Sequence, residues 1–290
     1  DFDIEVKDAR HLTNIAAADI ELDCSSPESM LQRVHADDRP VLADARGAAA
    51  TEGKGYQLTY RVERRNGSPR TVFEQAVAVR DNTDRVVAVE GITQDITDRV
   101  EAEKRMQQLA HFDEVTGLPN RQFFIELSNA ALDRSQRLGA RCALLHIDMD
   151  RFKSVNDAIG YTEADAVLRI MGERIQTLIR TSDLASVNRN SGESVVARIG
   201  GNAFTLLLLD VHTEKQAALV SNRLLRAISE PLQVRERELV LTASIGIALY
   251  PRDSSDVRIL SRCAEQAVYS AKAAGLAQHR FFDETMNAQA

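Results

Sequence analysis

Apolar residues recur along this chain in two rhythms, every second position in some stretches and every third or fourth in others. The first rhythm marks half-buried strands and the second marks amphipathic helices. Residues 1–95 read as strand-rich after a helical start. Tyr56-Gln-Leu-Thr-Tyr-Arg-Val62 alternates apolar and polar side chains. Arg65-Asn66-Gly67-Ser68 is a hairpin turn signal. Thr71 to Val79 and Val86 to Ile92 are two more strand candidates, separated by Asp81-Asn82-Thr83-Asp84. Three successive antiparallel strands predict a small α+β module.

The pattern then changes. Residues 99–112 contain neither Gly nor Pro and are rich in Glu, Lys, Arg, Gln and Ala, which are good helix formers. Asp98, with Glu101 three residues on, reads as a capping-box start. Ala102, Met106 and Leu109 follow the spacing of a heptad seam, while Val100 and Phe112 fall outside it. A short parallel coiled coil between protomers and a solvated linker helix are both open readings.

Beyond Asp113-Glu-Val-Thr-Gly-Leu-Pro-Asn-Arg121 a second domain begins. A helix runs to about Arg137, and Cys142-Ala-Leu-Leu-His-Ile147 is a continuous apolar run of the kind a fully buried strand shows. Ala164, Val167, Leu168, Met171, Ile175 and Leu178 form a helical stripe. Val195-Val196-Ala197 and Phe204 to Leu209 flank paired glycines and predict a hairpin. A helix over Glu214–Ile228, a strand over Leu239–Ala248, a helix over 256–274 and a strand over Gln278–Phe282 complete the order. Strand, helix, strand, hairpin, helix, strand, helix, strand indicates an α/β layer with a mainly antiparallel sheet.

Composition narrows the partners. The 290 residues suit two ordinary domains, and 44% hydrophobic residues suffice for packed cores. The net charge of -7 argues against a general nucleic-acid binder. No apolar run approaches the roughly 18–20 residues that span a bilayer, so no direct membrane contact is expected in this stretch. Cys24, Cys142 and Cys263 are far apart and lack metal spacing, which fits buried thiols in a reducing cytoplasm.

Two stretches carry candidate chemistry. Asp148-Met149-Asp150 ends a strand, so both carboxylates point to one face, where they can hold a divalent cation with Lys153 nearby for phosphate. Gly200 and Gly201 can adopt positive φ and bring backbone close to a ligand.

Both halves resemble known families. Arg33-Val34-His35-Ala36-Asp37-Asp38-Arg39, Tyr60-Arg61-Val62 and Gly91-Ile92-Thr93-Gln94-Asp95-Ile96-Thr97 resemble the later two-thirds of a PAS domain. The family implies a sensor or dimerisation module; its ligand stays unknown. Asp113 with Thr116-Gly117-Leu118-Pro119-Asn120-Arg121, Asp148-x-Asp150-x-Phe152-Lys153-x-x-Asn156-Asp157, Arg198-x-Gly200-Gly201, Ser244-Ile245-Gly246 and Tyr269-x-Ala271-Lys272 resemble, in order, the GGDEF domain of diguanylate cyclases. That resemblance implies a palm-type cyclase fold in which two protomers, each holding one GTP, face each other and make cyclic di-GMP with Mg²⁺. The expected architecture is therefore α+β: a PAS domain over 1–97, a linker helix over 98–112, a degenerate GGDEF domain over 113–283 and a tail over 284–290.

The resemblance also assigns roles. It implies metal binding by Asp148, guanine recognition by Asn156 and Asp165, and phosphate contacts from Phe152, Lys153 and Lys272 around Gly200 and Gly201. Positions 202 and 203, acidic in active members, are Asn202 and Ala203 here. Leu276 replaces an Arg that usually reaches phosphate, and Tyr161 and Ala164 replace a His and a Gly beside the guanine pocket. Arg180-Thr-Ser-Asp183 fits the family's product-inhibition pattern, but a polar run around Ser186–Ser194 separates it from the glycines.

Three functions stay open at this point. One is a regulatory module without cyclase activity that binds GTP, with or without Mg²⁺. Another is a cyclic di-GMP receptor acting through Arg180 and Asp183. The third is a weakly active diguanylate cyclase. Arg280-Phe281-Phe282-Asp283-Glu284-Thr285-Met286-Asn287-Ala288 resembles the lead-in to an EAL domain, so a homodimer with a covalently attached EAL domain downstream is the expected setting.

Overall fold

The structure, a computed structural model, describes residues 31–63, 69–183, 194–235 and 237–288, with the side chains of 180–183 and 287–288 outside the description. The chain divides into two compact units between Met106 and Gln107. The turn expected at Arg65–Ser68, the polar run after Asp183 and the side chains of Arg180 and Asp183 lie outside the described residues.

In the first unit, helix α1 (Arg39–Glu52) accompanies a three-stranded sheet of β1 (Tyr56–Glu63), β2 (Pro69–Arg80) and β3 (Val86–Asp95), antiparallel in the order β1-β2-β3. The even positions of β2 face inward, which buries Val72 and Ala76. Its core is Val34, Leu42, Tyr60, Val62 and Val72. Glu74 also points inward and is satisfied there: Tyr56 and Tyr60 donate to it at 2.6 and 2.5 Å and Arg46 at 3.1 Å. Burial, reinforced by that carboxylate, pushes both tyrosine hydroxyls up.

Two motifs of this unit hold each other. Arg61 donates to Asp38 through its backbone N–H and its guanidinium. The guanidinium's hydrogen bond holds the Asp38 carboxyl down at about 2. Helix α2 (Thr97–His111) starts earlier than the sequence suggests. Asp95, rather than Asp98, accepts from the Thr97 N–H, and the Thr97 hydroxyl takes the Thr71 N–H. Asp98 lies inside the first turn, so the capping box with Glu101 does not form. The seam residues Met106 and Leu109 are 69% and 48% exposed, open to water or to a second helix.

In the second unit, α3 (Arg121–Leu138) precedes the central strand β4 (Cys142–Met149). Helices α4 (Phe152–Ile159) and α5 (Tyr161–Asp183) follow, then the hairpin of β5 (Val195–Gly200) and β6 (Ala203–Leu208). Next come α6 (Glu214–Ser229), a ribbon of β7 (Leu232–Val234) and β8 (Arg237–Leu239), β9 (Ala243–Tyr250), α7 (Val257–Ala273) and β10 (His279–Phe281). The sheet order is β10-β9-β4-β6-β5, antiparallel except for the β10–β9 pair.

β4 is apolar throughout because helices cover both sides of the sheet. Ala143, Leu145, Ile147 and Met149 join the core that includes α5 and α6, while Cys142 and Leu144 join the one that includes α3 and α7. The strand expected over Leu239–Ala248 is two strands. Across the break at 240–242 the Thr242 carbonyl and hydroxyl are both bonded to Asp150. The ordered domain also continues past Asp283, through a 3₁₀ turn at Glu284–Ala288 whose Met286 packs on the second core.

Gly246 fixes how close α7 lies to the sheet. A Cβ at Gly246 would sit 1.9 Å from the Ala264 carbonyl oxygen and 2.5 Å from the Val268 nitrogen. Both are helix backbone, so no side-chain movement relieves the clash. Gly246→Ala is expected to cost at least about 2 kcal/mol in urea unfolding, since the helix must lift off the sheet; a change below about 0.5 kcal/mol would contradict that packing.

Candidate functional site

The end of β4 is where the chemistry gathers. Cross-strand register places Asp148 directly between Ala203 of β6 and Ser244 of β9. Facing pairs lie on one side of a sheet with Cβ atoms about 5 Å apart. Residue 203 is thus one of the two positions that face Asp148 directly, where a second carboxylate could stand, and it is a methyl group. Gly200 and Gly201 close the β5–β6 turn with φ of 122° and 55°, and a Cβ at either would meet nothing. The turn leaves open space of the kind a ligand's phosphates need.

Asp148 is not free. The Lys272 ammonium, on the last turn of α7, lies 2.8 Å from its Oδ1. The Asn202 amide nitrogen donates to the same Oδ1 at 2.8 Å and to the Met149 carbonyl at 2.6 Å. Both of those partners can only accept, so Asn202 must turn its NH₂ toward them. Its amide oxygen therefore faces away from Asp148.

The two aspartates of the Asp148-x-Asp150 pair divide their labour. Asp150 is buried and its carboxylate accepts from Thr242 Oγ1 (2.8 Å), Ser244 Oγ (2.7 Å) and the Ala277 N–H (3.1 Å). The paired metal role expected for Asp148 and Asp150 is thus corrected for Asp150, whose oxygens belong to the protein. What they hold is a tight turn: Gly275, Leu276 and Ala277 all have positive φ. For the two non-glycine residues that conformation costs on the order of 1–2 kcal/mol each. Leu276, where an Arg was expected to reach phosphate, sits in this turn.

The remaining candidate residues are arranged as follows. Asn156 on α4 and Asp165 on α5 are half-buried on helices joined through Gly160, whose φ is 84°. Neither side chain has a hydrogen-bond partner among the described residues. Lys153 is exposed, and the Phe152 ring is buried in the core, leaving its N–H at the start of α4. Ala164 is buried and Tyr161 exposed. The β7–β8 ribbon, which sequence patterning missed, braces the α4–α5 corner: Arg235 pairs with Glu163, and Arg237 donates to the Ala158 carbonyl.

Arg198, quoted in the Arg198-x-Gly200-Gly201 motif without a role, braces the glycine turn. Its guanidinium donates twice to the Gly201 carbonyl and twice to the Asp113 carboxylate, at 2.8 and 2.9 Å. Burial alone would raise Asp113, but Arg198 and Thr116 hold it below the usual carboxylate range. Asn120, which caps α3, also donates to the Ala110 carbonyl at the end of α2. Hydrogen bonds thus run from the C-terminus of α2 to the glycine turn.

A divalent cation at this strand end needs several oxygen lone pairs. The donor set does not fit one. Asp150 is committed, Asn202 presents N–H, Ala203 presents methyl, and Asp148 already has a cation beside it. Among the described residues, no group of three or more His, Cys, Asp or Glu is placed to share a metal ion.

The glycine turn, the strand-end aspartate and the helix-borne lysine all lie inside the region that the family comparison matches. The family model for the diguanylate cyclase GGDEF domain matches residues 110–278. The chain belongs to the GGDEF family. A PAS-fold model matches residues 9–93, ahead of the GGDEF domain. Among curated relatives, the bifunctional diguanylate cyclase/cyclic di-GMP phosphodiesterase MucR of Pseudomonas aeruginosa is 36% identical over 194 residues, 67% of this chain and 27% of MucR. The cyclic di-GMP phosphodiesterase NbdA of the same species is 34% identical over 185 residues, 64% of this chain and 22% of NbdA. The matched part thus spans about a quarter of each relative. The GGDEF domain of TpbB from Pseudomonas aeruginosa superposes with a TM-score of 0.55 at 28% identity, covering 62% of this chain and 98% of that one. No helix among the described residues is long and apolar enough to cross a membrane.

Two predictions follow from this GGDEF domain's interior. Asp150→Ala should cost about 2–4 kcal/mol, because it leaves three donors without their acceptor, the buried Ser244 hydroxyl among them, and releases the strained turn, whereas Asp148→Ala should cost under about 1 kcal/mol. Equal losses by urea unfolding would contradict the division of labour. Burial pushes the His146 imidazole below its ordinary 6.5, against the opposing pull of Glu265 and Asp148, with Arg121 and Lys272 adding to the fall. A depressed histidine is neutral when folded, so its share of stability is complete above pH 6.5 and lost as pH falls below it. The melting temperature of His146→Gln should therefore fall less between pH 7 and pH 5 than that of the parent, and parallel curves would refute this.

Proposed function

We propose that this GGDEF domain does not condense GTP and acts as a regulatory element in cyclic di-GMP signalling. In this reading it is coupled to the PAS-fold region through α2 and binds a guanine nucleotide at Asn156 and Asp165. The observation that carries the reading is the state of Asp148, held by Lys272 and by the Asn202 amide and facing the Ala203 methyl. Phosphoryl transfer depends on positioning and on neutralising the charge that builds up in the transition state. Losing one such stabilising group commonly costs about 10²–10³-fold, and here the carboxylates at both 202 and 203 are missing.

Other features support the remaining parts. Asn156 and Asp165 are half-buried polar groups without hydrogen-bond partners among the described residues, as a pocket for the edge of a base would have. The link from Asn120 and Asp113 through Arg198 to Gly201 gives a stiff path by which movement of α2 would reach the nucleotide turn. The names of NbdA and MucR support cyclic di-GMP as the signalling currency. A homodimer, and an EAL domain following in the same polypeptide, belong to the same proposal.

Incubation with GTP and Mg²⁺ or Mn²⁺, followed by nucleotide chromatography, should yield no cyclic di-GMP above background. Turnover at the rate of an intact cyclase would overturn the proposal. Calorimetry should detect GTP, and Asp165→Ala should weaken binding by about tenfold or more, the worth of a hydrogen bond to a charged group. Unchanged affinity would remove Asp165 from the pocket.

A further inference from the structure

The disagreement between this donor set and a metal ion has a positive side. Asp148 is a half-buried carboxylate in a domain whose fold implies a divalent cation at that spot, yet its charge is already balanced. Lys272 Nζ supplies one positive charge at 2.8 Å, and the Asn202 NH₂ adds a hydrogen bond to the same oxygen. We infer that the GGDEF site of this chain carries its own cation, Lys272 with the Asn202 amide hydrogens standing in for the divalent metal at Asp148, and that the site takes no metal ion.

The arrangement is built by the fold. Gly246 lets α7 lie against the backbone of β9, and Lys272 is on the last turn of that helix. Asn202 is pinned from two sides, by its NH₂ to Met149 O and by its own carbonyl, which accepts the Met149 N–H at 3.2 Å. Its amide cannot rotate to present oxygen without setting oxygen against two acceptors, the Asp148 carboxylate and the Met149 carbonyl. An acidic residue at 202 would reverse this, with its oxygens repelled by Asp148 unless a cation came between them. An acidic residue at 203 would stand next to Asp148 across the strand pair. The charges divide accordingly: Asp148 is matched by one ammonium, and Asp150 is held by neutral donors from the protein.

The inference sharpens the reading of the site as inactive, but it is tested without nucleotide, so the two can fail separately. The full chain is titrated with Mn²⁺, and free Mn²⁺ is followed by its electron paramagnetic resonance signal. The parent and Asp148→Asn should behave alike, with no site tighter than about 1 mM. Asn202→Asp with Ala203→Glu should create one site per chain, at least about tenfold tighter, that disappears when Asp148→Asn is added. Lys272→Met on that restored background should tighten it further, because the competing ammonium is gone. A stoichiometric site in the parent that depends on Asp148 would overturn the inference. So would failure of the two restored carboxylates to create a site. Unchanged or weaker affinity on Lys272→Met would overturn the assignment of Lys272 as the built-in counter-ion. Circular dichroism of each variant establishes that it is folded before its titration is read.

Discussion

Asp148 holds a carboxylate at the end of the central strand, between the ammonium of Lys272 and the amide of Asn202, and the strand-end site is arranged around that contact. A partly buried charge must be matched where it stands. Active members of this fold, by family resemblance, do so with metal ions held among several carboxylates. Here Lys272 and the Asn202 amide stand against that carboxylate. The rest of the architecture serves that geometry: the apolar strand β4 buried on both faces, the bare backbone of Gly246 beneath α7, and the Gly200–Gly201 turn braced by Arg198.

On the function proposed above, the scaffold and the chemistry have separated in this domain. Asp113, Arg198, Asn120 and Asp150 shape the site without needing to touch a ligand, and all keep partners. Asp150 spends its oxygens on Thr242, Ser244 and the strained turn at Leu276 and Ala277. Those contacts stabilise the fold whether or not the site turns over GTP. The acidic residues at 202 and 203 would have no such second use, because they mass negative charge beside Asp148 and are favourable only with cations present. Their replacement by an amide and a methyl relieves that repulsion, in line with the tension between function and stability at active sites.

Much of this was legible in the residues. Alternation along Tyr56–Val62 and the helical stripe from Ala164 to Leu178 located real elements, and the order of motifs gave the family. What patterning could not give was partnership over long separations. Asp150 meets Thr242 92 residues away and Ala277 127 residues away, so an i, i+2 pair of aspartates looked like one site when it was two. The start of α2 was misplaced for a related reason. Asp98 has the right spacing for a cap, yet Asp95 takes that role because Thr97 is also tied to Thr71 on β2.

Crystals grown with a non-hydrolysable GTP analogue and Mn²⁺, measured at the manganese absorption edge, would test the central claim most directly. The account predicts no anomalous peak within about 2–2.5 Å of the Asp148 oxygens, with Lys272 still at hydrogen-bonding distance. A manganese ion coordinated by Asp148, with the lysine displaced, would contradict it.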